Sequence, residues 1–350
     1  MPLHSHVEGK GRPVVVLPSL SLDSTAMRAA FEPAFAGLSG WARIYLDLPG
    51  SGGSPPGEPT SDAVLGDVIA TVDALLDGEP FPIAGWSYGG YLAAALARRL
   101  PGRTTGLLTV CSGFKIRPAD RDLSGVLPSR PEPGWLDGVP PHLHEYLATA
   151  VGYQTAAAAG RVAAVLAANG PVDEAYFGVL RSTGFALSDE DLATDYERPA
   201  SFVCGRRDRV AGYRGGYENL GRFPHAGYVL AAEAGHFLPV EQPNLFGAAV
   251  RAWLDRCGAL RPTARGCCLT IRTLRGTYGA KPAFRASLCP ILSGNLPGIS
   301  AISHWRLSPC ENEPDPLRGR GARRHIRVNS SRDLKPKMLD ENRNLAITGS

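Results

Sequence analysis

A serine lies between two glycines where an apolar segment meets an alanine-rich one. The segment reads PFPIAGWSYGGYLAAALARRL, with Gly85-Trp86-Ser87-Tyr88-Gly89 at its centre. An apolar run followed by a helical pattern predicts a sharp strand-to-helix turn at Ser87, and glycines two residues away on either side relieve the crowding there. The serine hydroxyl would stand at the carboxyl edge of a sheet, where open α/β folds bind ligands. The pattern therefore predicts a nucleophile, with a simple glycine-rich turn as the alternative.

A serine hydroxyl needs a base to become a nucleophile, and His236 is the best candidate. It stands in VLAAEAGHFLPVEQP, after a strand pattern, directly after a glycine and before a closing helix. The other histidines of the first 257 residues are expected elsewhere. We expect His4 and His6 in an edge strand, His142 and His144 in an insertion, and His225 in a turn.

The base in turn needs a carboxylate that orients it, and Asp208 ends the strand-like segment SFVCGRRD. The chain order Ser87, Asp208, His236 is the order of serine hydrolases whose nucleophile lies on a strand-to-helix turn. The alternative for Asp208 is an ion pair with a neighbouring arginine. Asp47 also follows a strand pattern, but we expect it to anchor the glycine-rich loop after it.

Short apolar segments alternate with helical patterns along most of the chain, which predicts an α/β fold with a mostly parallel sheet flanked by helices. Between residues 114 and 196 the alternation stops and an alanine-rich helical pattern replaces it, which predicts a lid inserted between two strands. We expect strands at residues 13–20, 41–50, 81–87, 104–113, 199–208 and 227–236.

Charge divides the chain near Cys257. From Gly258 onward there are 16 basic and 6 acidic residues, which leaves 21 basic and 27 acidic residues before it. The acidic first part argues against a nucleic-acid binder. We expect residues 1–257 to form the domain and residues 258–350 to be a poorly ordered basic extension, or an out-of-frame translation. An adaptor that binds polyanions through RGRGARRHIR is the remaining alternative.

The cysteines and the hydropathy of the chain indicate the compartment in which the protein is expected. No segment reaches the roughly 20 apolar residues of a membrane span, and the first residues lack the apolar core of a signal peptide. Cys111 and Cys204 lie in apolar, strand-like segments and are expected to be buried thiols. Seven cysteines without regular spacing form neither a disulfide framework nor a metal site. We therefore expect a cytoplasmic protein without a membrane span.

The segments GWSYGG, DLPGSGGS, GRRD and AGHF, with the position of the insertion, resemble the α/β-hydrolase superfamily over residues 3–257. The resemblance implies an oxyanion hole made by the backbone N–H groups of Tyr88 and Leu20. Pro18-Ser19 stands where such enzymes frequently carry His-Gly, so the Leu20 donor departs from the usual pattern.

The expected reaction is hydrolysis of a small or medium, apolar ester through an acyl-enzyme on Ser87, without metal or organic cofactor. Trp86 is expected to line the substrate pocket. Alternatives are a small-molecule receptor of the same fold, a cofactor-free perhydrolase, a carbon–carbon bond hydrolase, a lactonase and an aminopeptidase.

Overall fold

Three consecutive valines lie in an interior strand of the sheet. Val14, Val15 and Val16 are all buried, because helices cover both faces of a central parallel strand. The structure is a computed structural model that describes residues 2–193 and 195–259. Its strands are β1 (Ser5–Gly9), β2 (Arg12–Leu17), β3 (Trp41–Leu46), β4 (Phe81–Trp86), β5 (Thr104–Val110), β6 (Arg130–Pro131), β7 (Tyr153–Gln154), β8 (Ala200–Gly205) and β9 (Ala226–Ala231).

Seven of these strands form one sheet in the order β1-β3-β2-β4-β5-β8-β9. β1 runs antiparallel to β3 at the edge, and every other neighbouring pair in this sheet is parallel. The predicted mostly parallel α/β sheet is confirmed. Because parallel strands end at one edge, the segments that follow β4, β8 and β9 lie close together.

Helices cover both faces. They are α1 (Ser24–Phe35), α2 (Ser61–Leu76), α3 (Tyr88–Arg99), α4 (His144–Ala150), α5 (Ala156–Ala167), α6 (Glu174–Thr183), α7 (Arg214–Glu218), α8 (Leu238–Glu241) and α9 (Pro243–Ala259). α1 packs against α9 on one face, while α2 packs against α3, which lies on β2, β4 and β5. Capping fixes the helix starts: Asp23 accepts the Ala26 N–H at 2.9 Å, and Thr60 accepts the Ala63 N–H at 3.2 Å.

The predicted insertion contains the helices α4, α5 and α6, joined by long non-helical segments. It also contains a parallel pair of two-residue strands, β6 and β7, that no sequence pattern indicates. α5 packs against α1 and α8, so part of the insertion contacts helices outside it. The predicted extension at residues 258–350 lies outside the described residues, apart from the end of α9. No helix in the described part of the chain is both long and apolar enough to cross a bilayer.

Candidate active site

Ser87 lies on the predicted sharp turn between β4 and α3. Its backbone angles are φ 54° and ψ −117°, a conformation that costs energy for a residue with a side chain. A Cβ on Gly85 would collide with the carbonyl oxygen of Gly89, and one on Gly89 would collide with that of Leu17. The two glycines therefore allow α3 to begin directly against β2 and β4, and the turn exposes Ser87 at the sheet edge.

Ser87, His236 and Asp208 form one hydrogen-bonded row. His236 Nε2 lies 3.0 Å from Ser87 Oγ, and His236 Nδ1 lies 3.0 Å from Asp208 Oδ2 and 3.2 Å from Oδ1. A carboxylate only accepts hydrogen bonds, so a neutral His236 carries its proton on Nδ1 and presents Nε2 as the acceptor of the serine hydroxyl. Three residues far apart in sequence are thus brought into an arrangement in which the imidazole can accept the serine proton.

Backbone groups hold Asp208 in place. The Asp208 side chain is fully buried, and its Oδ1 accepts the N–H groups of Val210 and Ala211, each at 2.9 Å. Within the described residues its side-chain partner is His236 and not a neighbouring arginine; Arg207 donates instead to the Pro128 carbonyl. These bonds leave Oδ2 free to face the imidazole.

Asp47 anchors the glycine-rich loop, as expected from the sequence. Its carboxylate accepts the N–H of Gly53 at 2.9 Å and the N–H of Ser24 at 2.6 Å, and it contacts His4 Nδ1 at 2.7 Å. Asp47 therefore joins the loop to the start of α1 and does not contact His236. The remaining histidines lie away from the row: His6 in edge strand β1, His142 and His144 in the insertion, and His225 exposed before β9.

Glu241 is a buried residue at the site that the sequence pattern did not indicate. Its carboxylate accepts the N–H of Gly235 at 2.9 Å and the N–H of Gly152 at 2.8 Å. The His236 N–H donates to the Ala150 carbonyl at 2.7 Å. Burial raises the pKa of Glu241 to about 7, against the lowering effect of the amide donors. Glu241 thus fastens the histidine loop to the insertion.

The structure corrects the expectation for Trp86. Its side chain is fully buried in the core on the α1 and α9 face, against Phe31 and Phe237, and it does not line the cavity at Ser87. Side chains alternate between the two faces of a strand, and Trp86 lies on the face that α1 and α9 cover. Its indole N–H donates to the carbonyl of His236 at 2.9 Å. Trp86 therefore helps to fix the backbone of His236.

A cavity of about 300 Å³ opens at the row and is lined by Ser87 and His236. Leu20 and Tyr88, the residues expected to donate to an oxyanion, line the same cavity. Its wall is partly apolar, from Ile116, Tyr146, Phe185 and Val210, and partly basic, from Lys115, Arg121 and Arg181. An apolar ester therefore matches only part of this wall.

The candidate ligand atoms of Cys111, Asp208 and His236 lie within 4.8 Å of one another. This group does not fit a metal. His236 Nδ1 is already bonded to Asp208, and burial holds the pKa of the Cys111 thiol well above its usual range, so the thiol stays protonated. Cys111 Sγ donates to the Gly235 carbonyl at 3.4 Å instead.

Comparison with known families agrees with this architecture. The family model for the alpha/beta hydrolase fold matches residues 12–243. The match covers both the strand that carries the central valines and the loop with the histidine, so the chain belongs to the α/β-hydrolase family.

Individual relatives cover less of the chain. This chain is 34% identical over 143 residues to the pimeloyl-[acyl-carrier protein] methyl ester esterase of Shewanella sp. (strain MR-7). The aligned residues cover 40% of this chain and 46% of that protein. The chain spans about half the length of the curated relatives it matches. An alpha/beta superfamily hydrolase from Oenococcus oeni PSU-1 superposes with a TM-score of 0.66 at 28% identity, covering 73% of this chain and 96% of that one. A thermophilic esterase from Thermogutta terrifontis has the same fold, with a TM-score of 0.54, 21% identity and coverage of 73% and 93%.

Proposed function

We propose that this protein is a serine hydrolase that cleaves esters through an acyl-enzyme intermediate. The row Ser87–His236–Asp208 at the mouth of a cavity carries the proposal, because each atom needed for nucleophilic attack is within hydrogen-bond distance of the next. The name of the Shewanella relative, a methyl ester esterase, supports an ester rather than an amide or a carbon–carbon bond.

In the first step His236 Nε2 takes the proton of Ser87 Oγ, which attacks the ester carbonyl. Negative charge develops on the carbonyl oxygen, and the N–H groups of Tyr88 and Leu20 are the proposed donors to it. His236 then protonates the departing alcohol. Water, deprotonated by the same nitrogen, releases the acid and restores the serine, while Asp208 stabilises the imidazolium formed in each half.

The location of the Tyr88 amide favours the negative charge that develops on the ester carbonyl oxygen. It is the first residue of α3, so its N–H has no acceptor within that helix and lies at the positive end of the helix dipole. Leu20 lies in the loop after β2, next to Ser21, whose φ of 62° marks a tight turn. Tyr88 and Leu20 line the cavity from different elements, so two separate backbone segments could supply the donors.

The experiment is a substitution of the nucleophile. Ser87→Ala should reduce turnover of para-nitrophenyl acetate to the background rate, whereas Ser182→Ala on the surface of α6 should leave it unchanged. A fluorophosphonate should label the wild-type protein at Ser87 alone. Undiminished turnover by Ser87→Ala would exclude the assigned nucleophile; one labelled site with a burst but no steady-state turnover would favour the small-molecule receptor.

The cytoplasmic location belongs to the same proposal. Cys111, Cys204 and Cys257 are buried free thiols, which fits a reducing compartment. Secretion of the native protein into an oxidising compartment would contradict it.

A further inference from the structure

The charged side chains that line the cavity are all basic. Lys115, Arg121 and Arg181 line it, and no acidic side chain of the described residues does. Two of these cations already have carboxylate partners outside the cavity. Lys115 contacts Asp191, and it lies 3.5 Å from Glu190, while Arg181 lies 3.8 Å from Glu174.

Arg121 differs from the other two cations. Its guanidinium donates from Nη1 to the Val210 carbonyl at 2.8 Å, and from Nε to the Ile116 carbonyl at 3.0 Å, with Nη2 donating to that same carbonyl. Carbonyls carry no net charge, and within the described residues no carboxylate forms an ion pair with Arg121. A guanidinium has five N–H groups, so one N–H on each terminal nitrogen is left over.

Arg121 is also partly withdrawn from water. Burial lowers its pKa, while the charge of Asp208 acts through space to raise it, and an arginine stays protonated throughout. A half-buried positive charge without an anion is unfavourable, and an anion that enters the cavity would compensate for it. The two carbonyls hold the guanidinium in one orientation, so little ordering is needed when the anion binds.

We propose that Arg121 binds a carboxylate of the substrate, so that the preferred esters carry a negatively charged group on the part that reaches the wall formed by residues 116–121. This proposal rests on the proposed ester hydrolysis and specifies its substrate class. The planar guanidinium suits a carboxylate, which can accept both remaining N–H groups side by side.

The test compares pairs of esters that differ only in charge. For a carboxylate on the acyl side, the pair is the para-nitrophenyl hemiester of adipic acid and its terminal carboxamide. For a carboxylate on the alcohol side, the pair is para-acetoxybenzoate and para-acetoxybenzamide. Spontaneous hydrolysis is subtracted in each case. We expect the wild-type protein to favour the anionic member of at least one pair by roughly ten- to a hundredfold in kcat/KM, the range of a charge-assisted hydrogen bond.

Arg121→Met should abolish that preference by raising KM for the anionic ester, and Arg121→Lys should restore part of it. Arg117→Met is the matched control, because Arg117 is exposed on the same segment and does not line the cavity. The ratio of the two esters is the readout, so any general loss from a loosened loop cancels.

Equal rates on both members of both pairs, or a preference that survives Arg121→Met, would overturn the proposal. Either result leaves hydrolysis of the neutral esters intact, and so differs from a failure of the proposed function, in which no ester is turned over.

Discussion

The amide of Gly235 donates to Glu241 Oε1 at 2.9 Å, one residue before the histidine of the proposed catalytic row. The second oxygen of that carboxylate accepts the N–H of Gly152 in the insertion at 2.8 Å. A Cβ on either glycine would collide with the other segment, so the two chains cross in direct backbone contact. The position of His236 is thus tied to the insertion through one buried carboxylate.

This carboxylate should make stability depend on pH. Its pKa is about 7 in the folded protein and 4.5 when unperturbed, so the folded state binds the proton more tightly. Relative to Glu241→Gln, the free energy of unfolding of the wild type should therefore fall as pH rises from about 4.5 to 7. The slope reaches at most about 1.4 kcal/mol per pH unit, or on the order of 3 kcal/mol in total.

Urea unfolding of both proteins at intervals between pH 4.5 and 8 measures this difference. Glu233→Gln serves as the control for the change of charge, because Glu233 is only partly buried and lies beside Arg130 at the surface. Parallel curves for the wild type and Glu241→Gln would mean that Glu241 has an ordinary pKa in the fold.

Asp208→Asn should lower kcat by roughly 10³- to 10⁴-fold with little change in KM, because an amide no longer selects the imidazole tautomer with a free Nε2. Asp255→Asn, exposed on α9, is the matched charge change and should leave kcat unaltered. Steady-state kinetics on para-nitrophenyl acetate decides this. A small effect of Asp208→Asn would assign the orienting role to another group.

Gly85→Ala should destabilise the fold by about 1–3 kcal/mol and reduce activity, because its Cβ has no space beneath the turn. Gly66→Ala is the opposite case within the same protein. Gly66 lies inside α2 with nothing near its missing Cβ, so alanine should stabilise the protein by about 0.4–1 kcal/mol. Denaturant midpoints of the two variants should move in opposite directions, and a shared direction would refute the steric argument.

The three residues of the row were predictable because each has a local signature. Five consecutive residues, Gly85 to Gly89, predict the turn at Ser87, and Asp208 and His236 each follow an apolar strand segment. Parallel strands then bring the three segments to one edge without any further information. The strand ends were less accurate: the predicted strand at residues 13–20 ends at Leu17, because Pro18 has no N–H to continue the ladder.

Trp86 and Arg121 were not predictable in the same way. Whether Trp86 faces the ligand or the core depends on the face of β4 that it occupies, and a strand buried on both faces shows no alternation. The unpaired charge of Arg121 depends on which carbonyls and carboxylates surround it, and these come from residues far apart in sequence. Such properties follow from tertiary packing alone.

The hydrogen bond from Trp86 to the His236 carbonyl gives the last prediction. Trp86 and Trp253 are both fully buried, but only Trp86 donates its indole N–H, to the His236 carbonyl, whereas Trp253 Nε1 has no partner among the described residues. Replacing either by phenylalanine leaves a cavity of similar size. Trp86→Phe in addition leaves a buried carbonyl unpaired, at a cost of about 1–3 kcal/mol. Thermal unfolding should therefore show a larger loss for Trp86→Phe, and kcat should fall in that variant alone because the histidine loop is released. Equal losses of stability, with kcat unchanged in both, would mean that the indole contributes only its volume.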